Sequence, residues 1–597
     1  MDLTQLSKQG ALSPMDLHFA QTLGRLSGET RPEVLLAVAM AHQALSQGHV
    51  ALDLAQPLLL QWNFQNRLQT LPLPAPPQLV TALANSPLVG PGLPLRLEED
   101  LLYLSRYHDC QTRLTGQLLA RAQAKPLGGV LQQRQGLEKH FGPDYTQNRQ
   151  ALAAANALNQ AFCLVTGGPG TGKTTTAAKI LALALELSPH PLACLVLAPT
   201  GKAAHRLGEA LQTALPHLGL SPELAARFPQ GAITLHRALE PVLGPGQQFE
   251  RGPENLIPAD FVLVDEASMI DLPLWTALLE ALPPQCRVLL MGDPDQLSSV
   301  EAGAVLGDLV KAAQGGCSPS KNQQMQALGF ASAPVVVSGA PCFGDVWTQL
   351  THSHRFGESS EIGRLAKAVV QGQADEALDL LAKGKEISWS EPGKGYHGKL
   401  LERCSLGFAP YLAAKGVEEH LSRLGDFCLL TATKKHYYSA EWAGEQISAW
   451  LRHLGLITGG AKHHAKMPLL ITANDHQQGL YNGDLGCLLP DPNQPGSELY
   501  AWFAGEPAAR RLSPGLLPQA VPAWAMTTHK SQGSEWKQVA LLLPLEDNPL
   551  LSRELIYTAL TRAKEGFTLF GSRETATKAI RRLAGRSSGL TTALRRA

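Results

Sequence analysis

Short apolar runs recur from about residue 160 onward: FCLVT, CLVLAPT, FVLVDEA and RVLLMGD, and later FCLLTAT, QVALLLPL and FTLFGS. Stretches with helical spacing fill the intervals. This alternation predicts strands of parallel sheets joined by crossover helices, and the two groups of runs predict two α/β units. Before about residue 140 the pattern changes. Leu, Ala and Gln at helical spacing, as in PEVLLAVAMAHQAL, predict a helical N-terminal domain, broken by the Pro-rich joint LPLPAPP. The segment PLLITANDHQQGLYNGDLGCLLP is β-rich and turn-punctuated, predicting a small barrel inserted in the second α/β unit. A Gly-, Ser- and Gln-rich stretch from Gly315 to Cys342 reads as a mobile insertion or linker.

Composition narrows this picture. A chain of 597 residues exceeds a single core, and about 150 residues per domain gives roughly four units. Charged residues make up 17% and the formal net charge is zero, so a nucleic-acid partner would bind in a local groove, not on a basic coat. From Arg573 onward seven Lys or Arg face one acid, Glu574, which reads as a solvated helix face. The nine cysteines lack CxxC or zinc spacing and sit mostly in apolar contexts. They read as buried thiols in a reducing compartment. The first ten residues lack the features of a signal peptide and no run of 18 apolar residues occurs. The expectation is a soluble cytoplasmic protein with no membrane partner.

The strongest chemical signal is GGPGTGKTT, which runs through Gly167, Gly168, Pro169, Gly170, Thr171, Gly172, Lys173, Thr174 and Thr175. It follows an apolar strand and opens a helix, the context a phosphate cradle requires. Lys173 would reach the β- and γ-phosphates and Thr174 would ligate Mg²⁺. In VLVDEAS, Asp265 is placed to hold the Mg²⁺ shell and Glu266 to polarise the attacking water. Gln296 in GDPDQ would sense a γ-phosphate. Gln150, upstream of the cradle, would read an adenine edge, which makes ATP the expected nucleotide.

The ordered set GGPGTGKTTT, LAPTGKAAHRL, TLHRAL, VDEASM, GDPDQLSSVEAG, HRF, THKSQGSEW and RELIYTALTRAK resembles the superfamily-1 helicases. Its wording resembles the RecD family, the α-subunits of exodeoxyribonuclease V (the RecBCD complex). SQGHVALDL at Ser46–Leu54 and YNGDLG at Tyr481–Gly486 add to the resemblance. It implies an α/β fold of two RecA-like motor domains at 141–345 and 346–597. It further implies a helical partner-docking domain at 1–140, an SH3-like β insertion at about 460–520 and a short hairpin near 240–258. It also implies 5′-to-3′ stepping on single-stranded DNA fed from duplex ends, in a heterotrimer with RecB-like and RecC-like subunits acting in double-strand-break repair and recombination. No acidic pair followed by Glu-x-Lys suggests a nuclease site, so cleavage is expected of a partner.

Carried over residue by residue, Arg355 and Arg562 would reach the γ-phosphate from the second motor, with Gly533 and Glu535 facing the nucleotide. Thr200, Gly201, Lys202, Thr234 and His236 on the first unit, with Thr528, His529, Lys530 and Ser531 on the second, would hold DNA phosphates without reading sequence. His463 and His464 in GGAKHHAK read as plain surface. Two alternatives stand beside this reading: a stand-alone RecD-like helicase and a nucleotide-dependent DNA-binding switch that does not translocate.

Overall fold

The computed structural model describes all residues except 1–2, 56–58, 65–66, 122–125, 243, 245–247, 332–334, 336–342, 358–359, 459–462, 476, 493–497, 506–507, 518 and 597. Among the described residues, a six-stranded sheet runs in the order Trp347–Leu350, Phe162–Gly167, Arg287–Gly292, Phe261–Val264, Cys194–Ala198, Ile233–Thr234, every pair parallel. Its strands carry apolar side chains on both faces because helices cover both. Leu164, Val264 and Leu290 enter one core, while Cys163, Val165, Leu263 and Leu289 enter the other. The strand Trp347–Leu350 belongs to this first sheet. The boundary expected at 345–346 therefore falls inside the first unit, and the segment carrying Arg355 leaves the edge of that sheet.

A second parallel sheet of five strands has the order Ile387–Ser390, Ala563–Phe570, Trp536–Leu542, Phe427–Thr431, Met526–Thr527. It too is apolar on both faces, with Val539 and Leu541 on one side and Ala540 and Leu542 on the other. The insertion is an antiparallel sheet ordered Arg510–Leu512, Leu499–Phe503, Leu485–Pro490, Met467–Ile471, Ala520–Pro522. Its two edge strands do not pair with each other among the described residues, so it is an open sheet where a closed barrel was expected.

The N-terminal part is helical as expected, with helices such as Pro14–Ser27 and Pro32–Ser46, but it also holds two small antiparallel sheets. Ala51–Asp53, Leu101–Leu104 and Leu95–Glu98 form one; Leu59–Phe64 and Arg67–Pro72 form the other.

The linker expected at 315–342 contains the helix Pro319–Ala327, started by Ser318, whose hydroxyl accepts from the Lys321 main-chain N–H at 3.2 Å. Residues 332–334 and 336–342, Cys342 among them, lie outside the described residues. His464 is not surface: it is buried and stacks on Trp524 with ring centres 6.2 Å apart. Near 240–258, Pro241 and Phe249 form an antiparallel bridge, while 243 and 245–247 fall outside the described residues. No helix among the described residues is long and apolar enough to cross a membrane.

Candidate active site

The buried strand Phe162–Gly167 delivers the turn that precedes the helix Lys173–Leu187. Gly170 and Gly172 hold φ of 76° and 78°, the left-handed region that favours glycine. Space is equally restrictive. A Cβ on Gly170 would lie 2.3 Å from Arg355 Cβ, and one on Gly172 would lie 2.5 Å from Gln150 Nε2. Lys173 folds back on the turn, its Nζ donating to the Gly167 and Gly168 carbonyls at 2.6 and 3.1 Å. Thr171 Oγ1 donates to the Gly168 carbonyl at 2.8 Å. Thr174 is half-buried and Thr175 exposed. Gln150 donates from Nε2 to the Thr171 carbonyl at 3.1 Å and lines a cavity of about 480 Å³ with Arg149, His352 and His354.

Acidic groups face this cradle from the next two strand ends. Asp265 and Glu266 follow Phe261–Val264, and the Glu266 N–H donates to Asp265 Oδ1 at 2.8 Å. Burial, with the Glu266 charge beside it, pushes the Asp265 carboxyl above its usual range, while Lys173 opposes that shift. Glu266 sits at φ 52°, unusual for a residue with a side chain. Asp293, after Arg287–Gly292, is likewise raised by burial. Its Oδ2 accepts from Gln296 Nε2 at 3.0 Å and from the Tyr557 hydroxyl at 3.1 Å.

The second sheet closes the site. Arg562, 4% exposed, donates from Nη2 to Gln296 Oε1 at 2.8 Å and from Nε to the Thr558 carbonyl at 3.2 Å. Arg355 donates from Nη2 to Glu535 Oε1 at 2.5 Å. Burial would raise the Glu535 carboxyl, but Arg355, with Arg206 and Lys564, carries it below its usual range. Gly533 holds φ 71°, and its carbonyl accepts from Arg206 Nη1 of the first unit. Arg355 itself rides on the cradle: the His354 N–H donates to the Gly170 carbonyl at 2.8 Å, and Ser353 Oγ to the Pro169 carbonyl at 3.1 Å. The sequence-predicted nucleotide residues thus converge on one seam.

Four residues at the seam were not singled out in sequence: Arg206, Gln532, Tyr557 and Thr558. All lie inside quoted motifs, and their polar side chains within those motifs were the available signal. Gln532 Nε2 donates to the Leu297 carbonyl and Thr558 Oγ1 accepts from the Leu297 N–H, both at 2.8 Å.

The residues expected on DNA scatter more. Thr528 and Ser531 are corrected: both are 0% exposed, with Thr528 Oγ1 donating to the Thr431 carbonyl and Ser531 Oγ to the Thr528 carbonyl. Hydroxyls turned inward to satisfy a strand end and a 3₁₀ turn present nothing to a phosphate. Lys530 and His529 remain half-exposed. Thr200 and Thr234 cap helices, accepting from the Ala203 and Arg237 N–H groups at 3.2 Å each. Gly201 lies under the Tyr481 ring, and Lys202 Nζ donates to the Gly483 carbonyl at 3.1 Å. Burial there pulls the Lys202 amine down to about 8. His236 is exposed.

Comparison with known proteins gives the family. The model of the N-terminal domain of the RecBCD enzyme subunit RecD matches residues 8–103, an AAA domain model matches 150–302, and a UvrD-like helicase C-terminal domain model matches 522–569. The chain is 39% identical over 602 residues to the RecBCD enzyme subunit RecD of Mycolicibacterium smegmatis, covering 98% of each. It is 35% identical over 491 residues to that of Haemophilus influenzae, covering 76% of this chain and 74% of the relative. The ATP-dependent RecD2 DNA helicase of Deinococcus radiodurans is 30% identical over 431 residues, 71% of this chain and 48% of its own. With a match that spans both chains almost end to end, the protein belongs to the RecD family of ATP-dependent DNA helicases.

Proposed function

We propose that the chain is the 5′-to-3′ motor subunit of a RecBCD-type helicase–nuclease, working in the cytoplasm on single-stranded DNA fed from duplex ends. RecB-like and RecC-like subunits complete the assembly, and nuclease activity resides in a partner. Residues 1–140 are the docking piece; Met15 and Leu26, 66% and 80% exposed on the helix Pro14–Ser27, offer apolar contact there.

The observation that carries the reading is Arg562: a guanidinium from the second unit, buried, bonded to Gln296 beyond the C-terminal end of a central strand of the first sheet. An arginine that reaches a phosphate site from another lobe makes hydrolysis depend on closure, a contribution of roughly 10³–10⁵ in related phosphoryl transfers. Lys173 exchanges its carbonyl partners for the β- and γ-phosphates, Gln150 holds the adenine, and Arg355 leaves Glu535 for the γ-phosphate. Glu266 takes the proton of the attacking water.

Thr174 and Asp265 would hold Mg²⁺. An all-oxygen donor set suits that ion, and the cost of ionising buried Asp265 falls beside a cation. The ion supplies charge neutralisation at the phosphates. The DNA grip falls to Lys530, His529, Lys202, Thr200, Thr234 and His236, while Gly201, covered by the Tyr481 ring, shapes the contact beside them.

Lys173→Gln should abolish single-stranded-DNA-stimulated ATP hydrolysis and the unwinding of 5′-tailed duplexes, with Tm unchanged. Unwinding that persists in this variant overturns the motor reading, and unwinding from 3′ tails alone overturns the polarity.

A further inference from the structure

The Gly48–Val50 stretch takes no part in the nucleotide site, yet it meets the chain's return crossing. After the helix Arg573–Arg581 the chain leaves the second sheet and ends as the helix Leu590–Arg596, packed on Ser105–Arg121 and Val305–Ala313. At the crossing, Arg586 enters the loop that follows Gln296. Its Nη1 donates to the Glu301 carbonyl at 2.7 Å, the Gly303 carbonyl at 2.9 Å and Ser299 Oγ at 3.4 Å. Its Nη2 donates to the Ser299 carbonyl at 2.5 Å.

Gly48 closes the node from the other side. A Cβ there would lie 2.6 Å from the guanidinium carbon, at φ 89°, and the Gly48 carbonyl accepts from the Gly303 N–H at 2.9 Å. His49 Nδ1 accepts from the Ser587 N–H at 3.0 Å, and the Ser587 carbonyl accepts from the Val50 N–H at 2.9 Å. The near end of the same loop is held by the second unit: Gln296 is bonded to Arg562, and Leu297 to Thr558 and Gln532. One loop is thus gripped at both ends by the second half of the chain.

We propose that Arg586 is a positioning residue for the nucleotide site. By fixing main-chain positions 299–303 it sets where Gln296 meets Arg562, and Gly48 is glycine because that guanidinium fills the space a side chain would need. The inference rests on the reading of the seam as the ATPase. Arg586 itself touches no reacting group. The acceptors are three carbonyls and a hydroxyl spread around a planar fork, a set that a lysine ammonium on a flexible stem cannot span. A node that merely glued the C-terminus down would lower Tm without acting selectively on turnover.

The test uses the full-length chain with Arg586→Ala, Arg586→Lys and Gly48→Ala, measuring kcat and KM for ATP at saturating single-stranded DNA, and Tm. A misplacement transmitted to the site should cut kcat about ten- to a hundredfold while KM for ATP stays within about twofold. Arg586→Lys should recover only part of the loss, and Gly48→Ala should reproduce it. Unchanged kcat in these variants overturns the proposal, as does a joint decline of kcat, KM and Tm that Arg586→Lys repairs in full. If Arg586→Ala does not fold, Arg586→Lys, which keeps charge and stem, decides by the same readout. Lys173→Gln separates the two readings. If it still hydrolyses ATP, the ATPase assignment is lost; full turnover by the Arg586 variants beside an inactive Lys173→Gln sinks this inference alone.

Discussion

Asp295 stands two residues beyond Asp293 with Glu554 also near, and burial followed by these negative neighbours pushes its carboxyl up to about 7. The unfolded chain releases this proton near 3.8, so between there and about 7 the native chain binds more protons than the unfolded one. Stability from this group is therefore full at low pH and lost as pH rises to about 7. Asp295→Asn removes the loss: its Tm relative to the parent should improve from about pH 5 to about pH 8, by about 2–4 °C for each kcal/mol recovered. A difference that stays flat with pH would refute the shift. Single side chains were also where sequence reading was weakest. Thr528 and Ser531 carry the hydroxyls a phosphate grip needs, but the direction of a hydroxyl is settled by which carbonyl lies within reach after folding. The basic run from Arg573 onward is solvated as expected, with Arg573, Lys578, Arg581, Arg595 and Arg596 exposed, but the partners its members choose were not legible. Arg582 pairs with Asp547, Arg581 with Asp375 and Arg596 with Glu99, and Arg586 finds a carbonyl 285 residues earlier in the chain.

The inserted sheet touches the first unit through a few residues. The Tyr481 ring covers Gly201, where a Cβ would lie 2.5 Å from the ring, and Lys202 reaches the Gly483 carbonyl. Around this contact lies a cavity of about 720 Å³ lined by Lys202, Arg206 and Arg510. Gly201→Ala should push the Tyr481 ring away and lower DNA-stimulated turnover, whereas Tyr481→Ala makes room. The double variant should then recover most of the loss, an interaction energy of about 0.5–3 kcal/mol, as for residues in contact. Strict additivity of the two single effects would show that the ring does not rest on Gly201 in the working enzyme. Elements were legible where main-chain chemistry dictates them. Buried parallel strands show as unbroken apolar runs, and the cradle shows because only glycine fits its turn. The three- and four-residue strands Ala51–Asp53 and Leu95–Glu98 are too short to display a period. The helix Pro319–Ala327 hid in a Gln-rich composition, although Ser318 followed by Pro319 was a start signal in plain view.

Two parallel sheets meet across the hydrogen bonds Arg562–Gln296, Arg206–Gly533 and Leu297–Gln532, so a shift of one unit at this seam breaks or remakes contacts with the other. The element carrying Gln532 and Gly533 also carries half-exposed Lys530 on the face expected to meet DNA. A ligand that favours closure of the seam must therefore alter the grip on the strand, and the strand must alter the affinity for the ligand by the same factor. A non-hydrolysable ATP analogue should change the Kd for single-stranded DNA by about 5- to 150-fold, and DNA should change the Kd for the analogue equally. Both titrations belong at one salt concentration, because each phosphate neutralised on a single strand contributes about 0.7 to the slope of log affinity against log salt. Arg562→Ala removes the contact between the two sheets at the nucleotide while leaving Lys530 and the cradle in place. The two factors should then fall together toward unity. If the coupling survives in Arg562→Ala, closure is transmitted elsewhere, and the seam is a place where nucleotide binds but not where its presence is felt by DNA.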